Sequence, residues 1–306
     1  MGTSPKHGAG RVQTFGNRDT STKQSVVVRY LAAYLRVMSK QRFHLSYVDA
    51  FAGSGARIDA AAAAERQPGF EFSLAAPEPK SSTALEALRL KPGFHRYVFG
   101  DLNAGNIAAL RDRIKEARAK GEALPDAELC VMDANALVKR ECEWLGESAS
   151  RKAVVFLDPF GMQVEWTTLE AIARCPQIDV WLLVPTGIGV NRLLPWERDP
   201  DPGWMARMDV FYGTKDWRDT LLTTQRDLLG EERQVRSSDR AGVVRFTMNR
   251  LAGLFGGGLY PQPLALRSGR HESYHLIFAN TAKEAYKWKI AHRIARHLIG
   301  KAQAGS

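Results

Sequence analysis

At 306 residues the chain is long for one domain, so a single domain carrying an insertion is expected. Hydrophobic content of 44% and charged content of 25% are those of a globular protein, and no run of 18 apolar residues exists to span a membrane. The net charge of +10 suits a polyanionic partner, while three cysteines (Cys130, Cys142, Cys175) without a C-x-x-C pair argue against a zinc site or disulfide framework and for reduced cytoplasmic thiols.

Met1 to Arg18 is rich in glycine and charge and lacks the apolar segment of a signal peptide, so residues 1–18 read as a flexible tail and 19–306 as the folded domain. Thr20 or Ser21 can cap a helix to about Met38, with Val27, Leu31, Tyr34, Leu35 and Met38 on its apolar face. His44 to Val48 reads as a buried strand, followed by Asp49-Ala50-Phe51-Ala52-Gly53-Ser54-Gly55. The Ala- and Pro-rich passage Ala60 to Lys80 reads as a loop, and Ser82 to Leu88 as a short helix. Strands are expected at His95–Gly100 and Glu128–Met132, ending in Asp101 and Asp133. Between them a helix over Asn103–Lys120 places Ile107, Leu110, Ile114 and Ala117 on one face. A helix at Ala136–Leu145 precedes the most apolar strand, Ala153–Leu157, which ends in Asp158-Pro159-Phe160-Gly161. A helix over Thr167–Arg174 and a strand over Ile178–Val184 come next. This alternation argues for a parallel sheet with its site at the strand ends.

From Leu193 to Arg240 the alternation breaks into Pro, Trp and charge with no sheet rhythm. An inserted substrate or partner subdomain is expected over about 193–245. A late strand is expected at Tyr274–Ala279. Thr281-Ala282-Lys283-Glu284 reads as a capping box for a final helix packed through Trp288, Ala291, Ala295 and Leu298.

A strand running into a Gly-rich turn lets a nucleotide approach the backbone closely. The dinucleotide fingerprint needs a third glycine where Ile58 stands, which disfavours a nicotinamide dehydrogenase. Asp49-x-Phe51-x-Gly53-x-Gly55 instead resembles motif I of class I S-adenosylmethionine (SAM) methyltransferases. Asp101 then has the place and charge to accept bonds from the two ribose hydroxyls, and Asp133 is placed to meet the adenine amino group. Asp158 lies beside the methyl donor in this topology. Each aspartate can equally cap the helix after it.

The chain resembles the three-Cys-motif partner protein family, which is class I methyltransferase-like. The resemblance rests on Lys23 with the Tyr30-Leu31 helix, Tyr47 to Gly55, Phe156 to Gly161, Trp166 to Leu169, Ile178 to Val180, Asn191-Arg192 and Tyr274 to Ala279. It covers about residues 20–298, and Ser82-Thr83-Ala84 stands where the family usually has Gly-Ser-Pro. It implies an α/β, Rossmann-like class I methyltransferase fold, with a mostly parallel central sheet, helices on both faces and an inserted subdomain. It further implies SAM binding, with Lys23 at the cofactor, and an iron–sulfur, radical-SAM-like partner that carries the three cysteines. The fourth-strand motif also resembles the Asp-Pro-Pro-Tyr of adenine-N6 methyltransferases, with Asp158, Pro159 and Phe160 as the catalytic group. In this chain Gly161 holds the aromatic's place and Phe160 comes one residue early. Two functions are then open: SAM-dependent methyl transfer to an amino group in nucleic acid, or SAM binding as a partner of an iron–sulfur enzyme without methyl transfer. The basic cluster Arg267, Arg270, His271, Lys283, Lys287, Lys289, Arg293 and Arg296 can line a phosphate backbone or form a solvated helix face.

Overall fold

The computed structural model describes residues 17–54, 82–187, 200–226, 232–268 and 271–304. Helix α1 (Asn17–Met38) leads into β1 (His44–Asp49). Next come α2 (Thr83–Arg89), β2 (Arg96–Asp101), α3 (Ala104–Ala119), β3 (Glu128–Val131), α4 (Ala134–Gly146), β4 (Arg151–Leu157), α5 (Trp166–Arg174) and β5 (Ile178–Val184). Helices α6 (Pro202–Tyr212) and α7 (Trp217–Leu221), the hairpin β6 (Leu222–Arg226) and β7 (Glu232–Arg236), and α8 (Arg240–Phe255) precede β8 (Leu264–Ser268), β9 (His271–Asn280) and α9 (Ala285–Ala304).

Among the described residues the main sheet has seven strands in the order β3-β2-β1-β4-β5-β9-β8, the first five parallel and β9 antiparallel to both β5 and β8. This is the mostly parallel class I methyltransferase-like sheet expected. Its strands alternate between two cores. Val48, Val155 and Val180 pack toward α4, α5 and α8, whereas Tyr47, Phe156 and Trp181 pack toward α1, α2 and α9. Helices cover both faces, which is why Ala153–Leu157 of β4 and Val180–Val184 of β5 read as continuous apolar runs. Strand order reverses between β1 and β4, and such a switch point opens a crevice outside the carboxyl ends of the strands.

Some boundaries differ from expectation. Helix α1 begins at Asn17, so Thr20 and Ser21 lie inside it instead of capping it. The 193–245 stretch does contain a sheet, the two-stranded β6–β7 hairpin. Its residues Thr223–Arg226 are all exposed, which leaves no apolar alternation to read. Met208, Phe211, Trp217 and Leu221 from this stretch join the same core as Val155 and Val180. Thr281 does not cap the last helix: its hydroxyl accepts from Ile178 N–H at 2.9 Å and donates to the carbonyl of Cys175, tying the end of β9 to the start of β5. Strand β8 had no counterpart in the expected elements. Residues Ala60–Lys80 and Asn191-Arg192 lie outside the described residues. Cys130, Cys142 and Cys175 are free, and burial pushes each thiol upward in pKa, Cys142 to about 12.

Candidate active site

Three aspartates come two residues after an aromatic on neighbouring strands: Tyr47-x-Asp49, Phe99-x-Asp101 and Phe156-x-Asp158. All three aromatics face the α1 side, so a period of two directs the three carboxylates to that side as well. The register then sets their heights. Asp49 is paired with Phe99 on one side and Phe156 on the other, so Asp101 and Asp158 stand two residues above it. At about 3.3 Å per residue, that is about 6–7 Å toward the mouth of the crevice. Asp49 is thus the floor of a notch with a carboxylate on each wall.

That depth explains its protonation. Asp49 is 2% exposed, and burial, with Asp158 adding repulsion, pushes its carboxyl up to about 7, against smaller opposing effects from Phe51 N–H and Lys23. Its Oδ1 accepts from Phe51 N–H at 3.2 Å. The chain after Asp49 continues the ladder for a few residues, with Ala50 N–H donating to Phe156 and Ala52 N–H to Gly100. It then turns at Gly53, whose φ is +62° and whose missing side chain faces open space, with nothing within 4 Å. Phe51 is half-buried against the α4 side of the core. Gly55 lies outside the described residues.

Lys23 comes from α1, 135 residues away in sequence from its partner, and its Nζ lies 2.5 Å from Asp158 Oδ2. The lysine side chain is 12% exposed and the carboxylate 25%, so this pair is largely withdrawn from water. Asp101 is bound locally: Oδ1 accepts from Asn103 N–H at 2.7 Å and Oδ2 from Asn106 Nδ2 at 3.0 Å. An ionised carboxylate offers about four lone-pair sites, so capacity for a ligand remains. Asp133 caps α4, its Oδ1 accepting from Asn135 and Ala136 N–H at 2.9 and 3.1 Å, and the residue is exposed.

The turn after β4 is rigidly built. Pro159 is buried, and its carbonyl accepts from Gly161 N–H at 3.1 Å. Gly161 has a φ of +88°, a conformation strained for an aromatic, so the Asp-Pro-Phe-Gly turn differs in backbone from one with an aromatic in the fourth place. Phe160 is 56% exposed, outside both cores, with its N–H bonded to Gln163 Oε1 at 2.8 Å. Buried Asn135 clamps the next segment: Nδ2 donates to the Gln163 carbonyl, while Oδ1 accepts from Glu165 N–H and the Thr168 hydroxyl. Sequence reasoning missed Asn135, whose partners lie 28–33 residues on. It also missed Leu102 and Val131, exposed at 72% and 54% beside Asp101. For Leu102 the available signal was a large apolar side chain directly after a strand-end aspartate. Among the described residues no cluster of His, Cys, Asp and Glu is placed to hold a metal ion.

No protein-family model matches the chain, and no curated protein does. Among solved structures it is loosely similar to a Legionella pneumophila protein carrying the family model DUF519, at 11% identity over 88% of this chain and 98% of that one, with a TM-score of 0.39. A candidate methyltransferase of Escherichia coli matches at 11% identity, 83% and 86% coverage and a TM-score of 0.30. A candidate SAM-dependent methyltransferase of Listeria monocytogenes matches at 10% identity, 83% and 98% coverage and a TM-score of 0.30. Likeness this loose carries nothing about activity, and none of it shows the three-Cys-motif partner family; the fold stands on the strand order. Among the described residues no helix is long and apolar enough to cross a membrane.

Proposed function

We propose that the chain transfers a methyl group from SAM to an amino group in nucleic acid. The observation that carries this reading is the end of β4, where a carboxylate holding an ammonium stands beside an exposed aromatic ring on a fixed turn. The donor set at the crevice suits the cofactor. Gly53 leaves open the space a Cβ would take, Asp49 and Asp101 offer carboxyl groups at two depths, and Leu102 and Val131 present apolar surface at the rim. Phe51, Gly55 and Asp133, with Lys23 once a substrate has displaced it from Asp158, complete the residues we propose for it. When bound, SAM supplies an electrophilic methyl group.

The chain's own residues do the rest. The Lys23 ammonium stands in for the acceptor's amino group at Asp158, so a substrate must take its place there. Asp158 and the second lone pair of the Pro159 carbonyl would orient the nitrogen and stabilise its positive charge as it attacks. Phe160 offers a face on which an extruded base can stack. A second reading keeps SAM binding but no methyl transfer, in a protein that serves an iron–sulfur partner; in its favour, Lys23 already occupies Asp158.

Labelled SAM incubated with DNA, RNA and cell extract separates the two, with Asp158→Ala run beside the wild type. The variant is expected to keep SAM affinity within about threefold and to lose turnover by roughly a hundredfold, since one preorganised group contributes about 2.7–4 kcal/mol. Wild-type protein that binds SAM and labels nothing would favour the partner reading. An Asp158→Ala protein with full turnover would put the catalytic group elsewhere.

A further inference from the structure

The net charge of +10 is not spread over the molecule. Residues 17–42 and 283–304 carry twelve Lys and Arg against two Asp and Glu, which leaves thirty-one of each sign in the rest of the chain. The entire excess therefore lies on α1 and α9 and the residues flanking them. These two helices pack against each other on one face of the sheet. Both bury an apolar stripe, Val27, Leu31 and Leu35 from α1 and Ala291, Ala295 and Leu298 from α9, and, Lys23 apart, turn their charges outward.

Pairing sharpens the contrast. Elsewhere Arg89, Arg96, Arg118, Arg140, Arg151 and Arg174 each meet a carboxylate within 3.2 Å, while cations that meet none among the described residues, such as Arg111, Arg207 and Arg245, are scattered over several helices. On the α1–α9 face Arg29, Arg36, Lys289, Arg293, Arg296 and Lys301 are exposed, and none meets a carboxylate among the described residues. Unpaired cations gathered on one face are the footprint of a polyanion site.

The orientation of the helices ties this face to the crevice. Helix α1 starts beside Asp158 through Lys23 and runs down the sheet. Helix α9 starts at the opposite edge, just after Thr281, whose hydroxyl bonds to Ile178 at the start of β5, and runs back up for 20 residues, about 30 Å. That length is close to one turn of a nucleic-acid duplex.

We propose that the α1–α9 face binds the phosphate backbone of nucleic acid and leads it to the carboxyl ends of the strands. This deepens the proposed function by giving its substrate class a docking surface; it rests on that reading for the chemistry after docking, and not for docking itself. An anionic membrane is the weaker fit. An interfacial helix needs a broad exposed apolar face, and on α9 only Tyr286 and Ile290 are large exposed apolar side chains, while the apolar stripe is buried in the core.

The test is fluorescence anisotropy with labelled 20-base-pair RNA and DNA duplexes and a 20-nucleotide single strand, titrated at several salt concentrations. If all six cations meet duplex phosphates, log affinity should fall with log salt at a slope of about −5. Arg293→Gln/Arg296→Gln should make that slope shallower by about 2 and weaken binding several-fold at low salt. The control pair Arg118→Gln/Arg174→Gln, on other helices, should leave the slope unchanged. The RNA and DNA arms show which backbone is held more tightly. An α9 variant that binds like wild type at every salt concentration overturns the proposal. So does failure of every probe to bind, or binding of phosphatidylserine vesicles in preference to all of them. SAM titrations on the same variants keep the two readings apart: lost nucleic-acid binding with intact SAM binding supports this surface, whereas absent SAM binding in the wild type overturns only the proposed function.

Discussion

Replacing Asp49 by Asn tests whether the notch controls protonation as its depth implies. Asn keeps the shape and can still accept from Phe51 N–H, but it cannot ionise. In the native protein Asp49 binds its proton up to a pH of about 7, whereas in the unfolded chain it releases it near its ordinary value of 3.8. The native state therefore holds a proton that the unfolded state lacks, so stability falls as pH rises. The contribution is fully present below about pH 4 and is lost as pH rises through about 7. With a shift of about three units, the wild type should lose roughly 2–3 kcal/mol more than Asp49→Asn between pH 5 and 8. Urea denaturation of both proteins at the two pH values measures this double difference, in which other titrating groups cancel. Parallel pH dependences, within about 0.5 kcal/mol, would refute the reasoning and put the ionised form of Asp49 in balance with Lys23. A cationic ligand seated over Asp49 should also drive out most of a proton near pH 6.5, visible as a buffer-dependent heat of binding.

Two further outcomes are expected. Gly53→Val should unfold as a cooperative protein, destabilised by about 1–2 kcal/mol for a β-branched residue at positive φ, yet give no calorimetric heat with SAM or S-adenosylhomocysteine; retained binding would remove the turn from the site. Asp101→Ala should weaken SAM by roughly tenfold or more, because charged hydrogen bonds contribute about 1.5–3 kcal/mol each, whereas Asp133→Ala should mainly cost about 1 kcal/mol of stability as a lost cap, with equal affinities for Asp101→Ala and wild type counting against Asp101 as a ligand.

Local signals carried far in this chain. The spacing of Ile107, Leu110, Ile114 and Ala117 marked the buried face of α3, and all four are buried. The apolar run Val180–Val184, with Ile178 before the one charged residue Asp179, marked a strand covered on both faces, and β5 has the expected bounds Ile178–Val184. Such elements are legible because each residue's environment depends on its neighbours a few positions away. Where the deciding partner lay far off, legibility ended. Thr281 with Glu284 had the pattern of a capping box, but Ile178 N–H, 103 residues upstream, claims the Thr281 hydroxyl. The β6–β7 hairpin had too little alternation to stand out, since a surface strand meets the core on at most one side, and β8, with only Leu264 and Leu266 buried, offered too short a pattern.

The same division runs through the site. Sequence alone determined the types and order of the strand-end residues, because Asp49, Gly53, Asp101 and Asp158 each come after an apolar strand that can be read by itself. It also determined that the positive charge excess lies in two segments near the ends of the chain. Only the tertiary structure decided that Asp49 lies deepest, because depth is set by register between β1 and its neighbours β2 and β4. Only it brought Lys23 onto Asp158, turned Phe160 outward instead of into the core, and set the two basic segments side by side. Hydrophobic periodicity specifies which face of an element is buried, but the element it is buried against comes from packing the whole chain, and charges on helices so far apart in sequence become one surface only then.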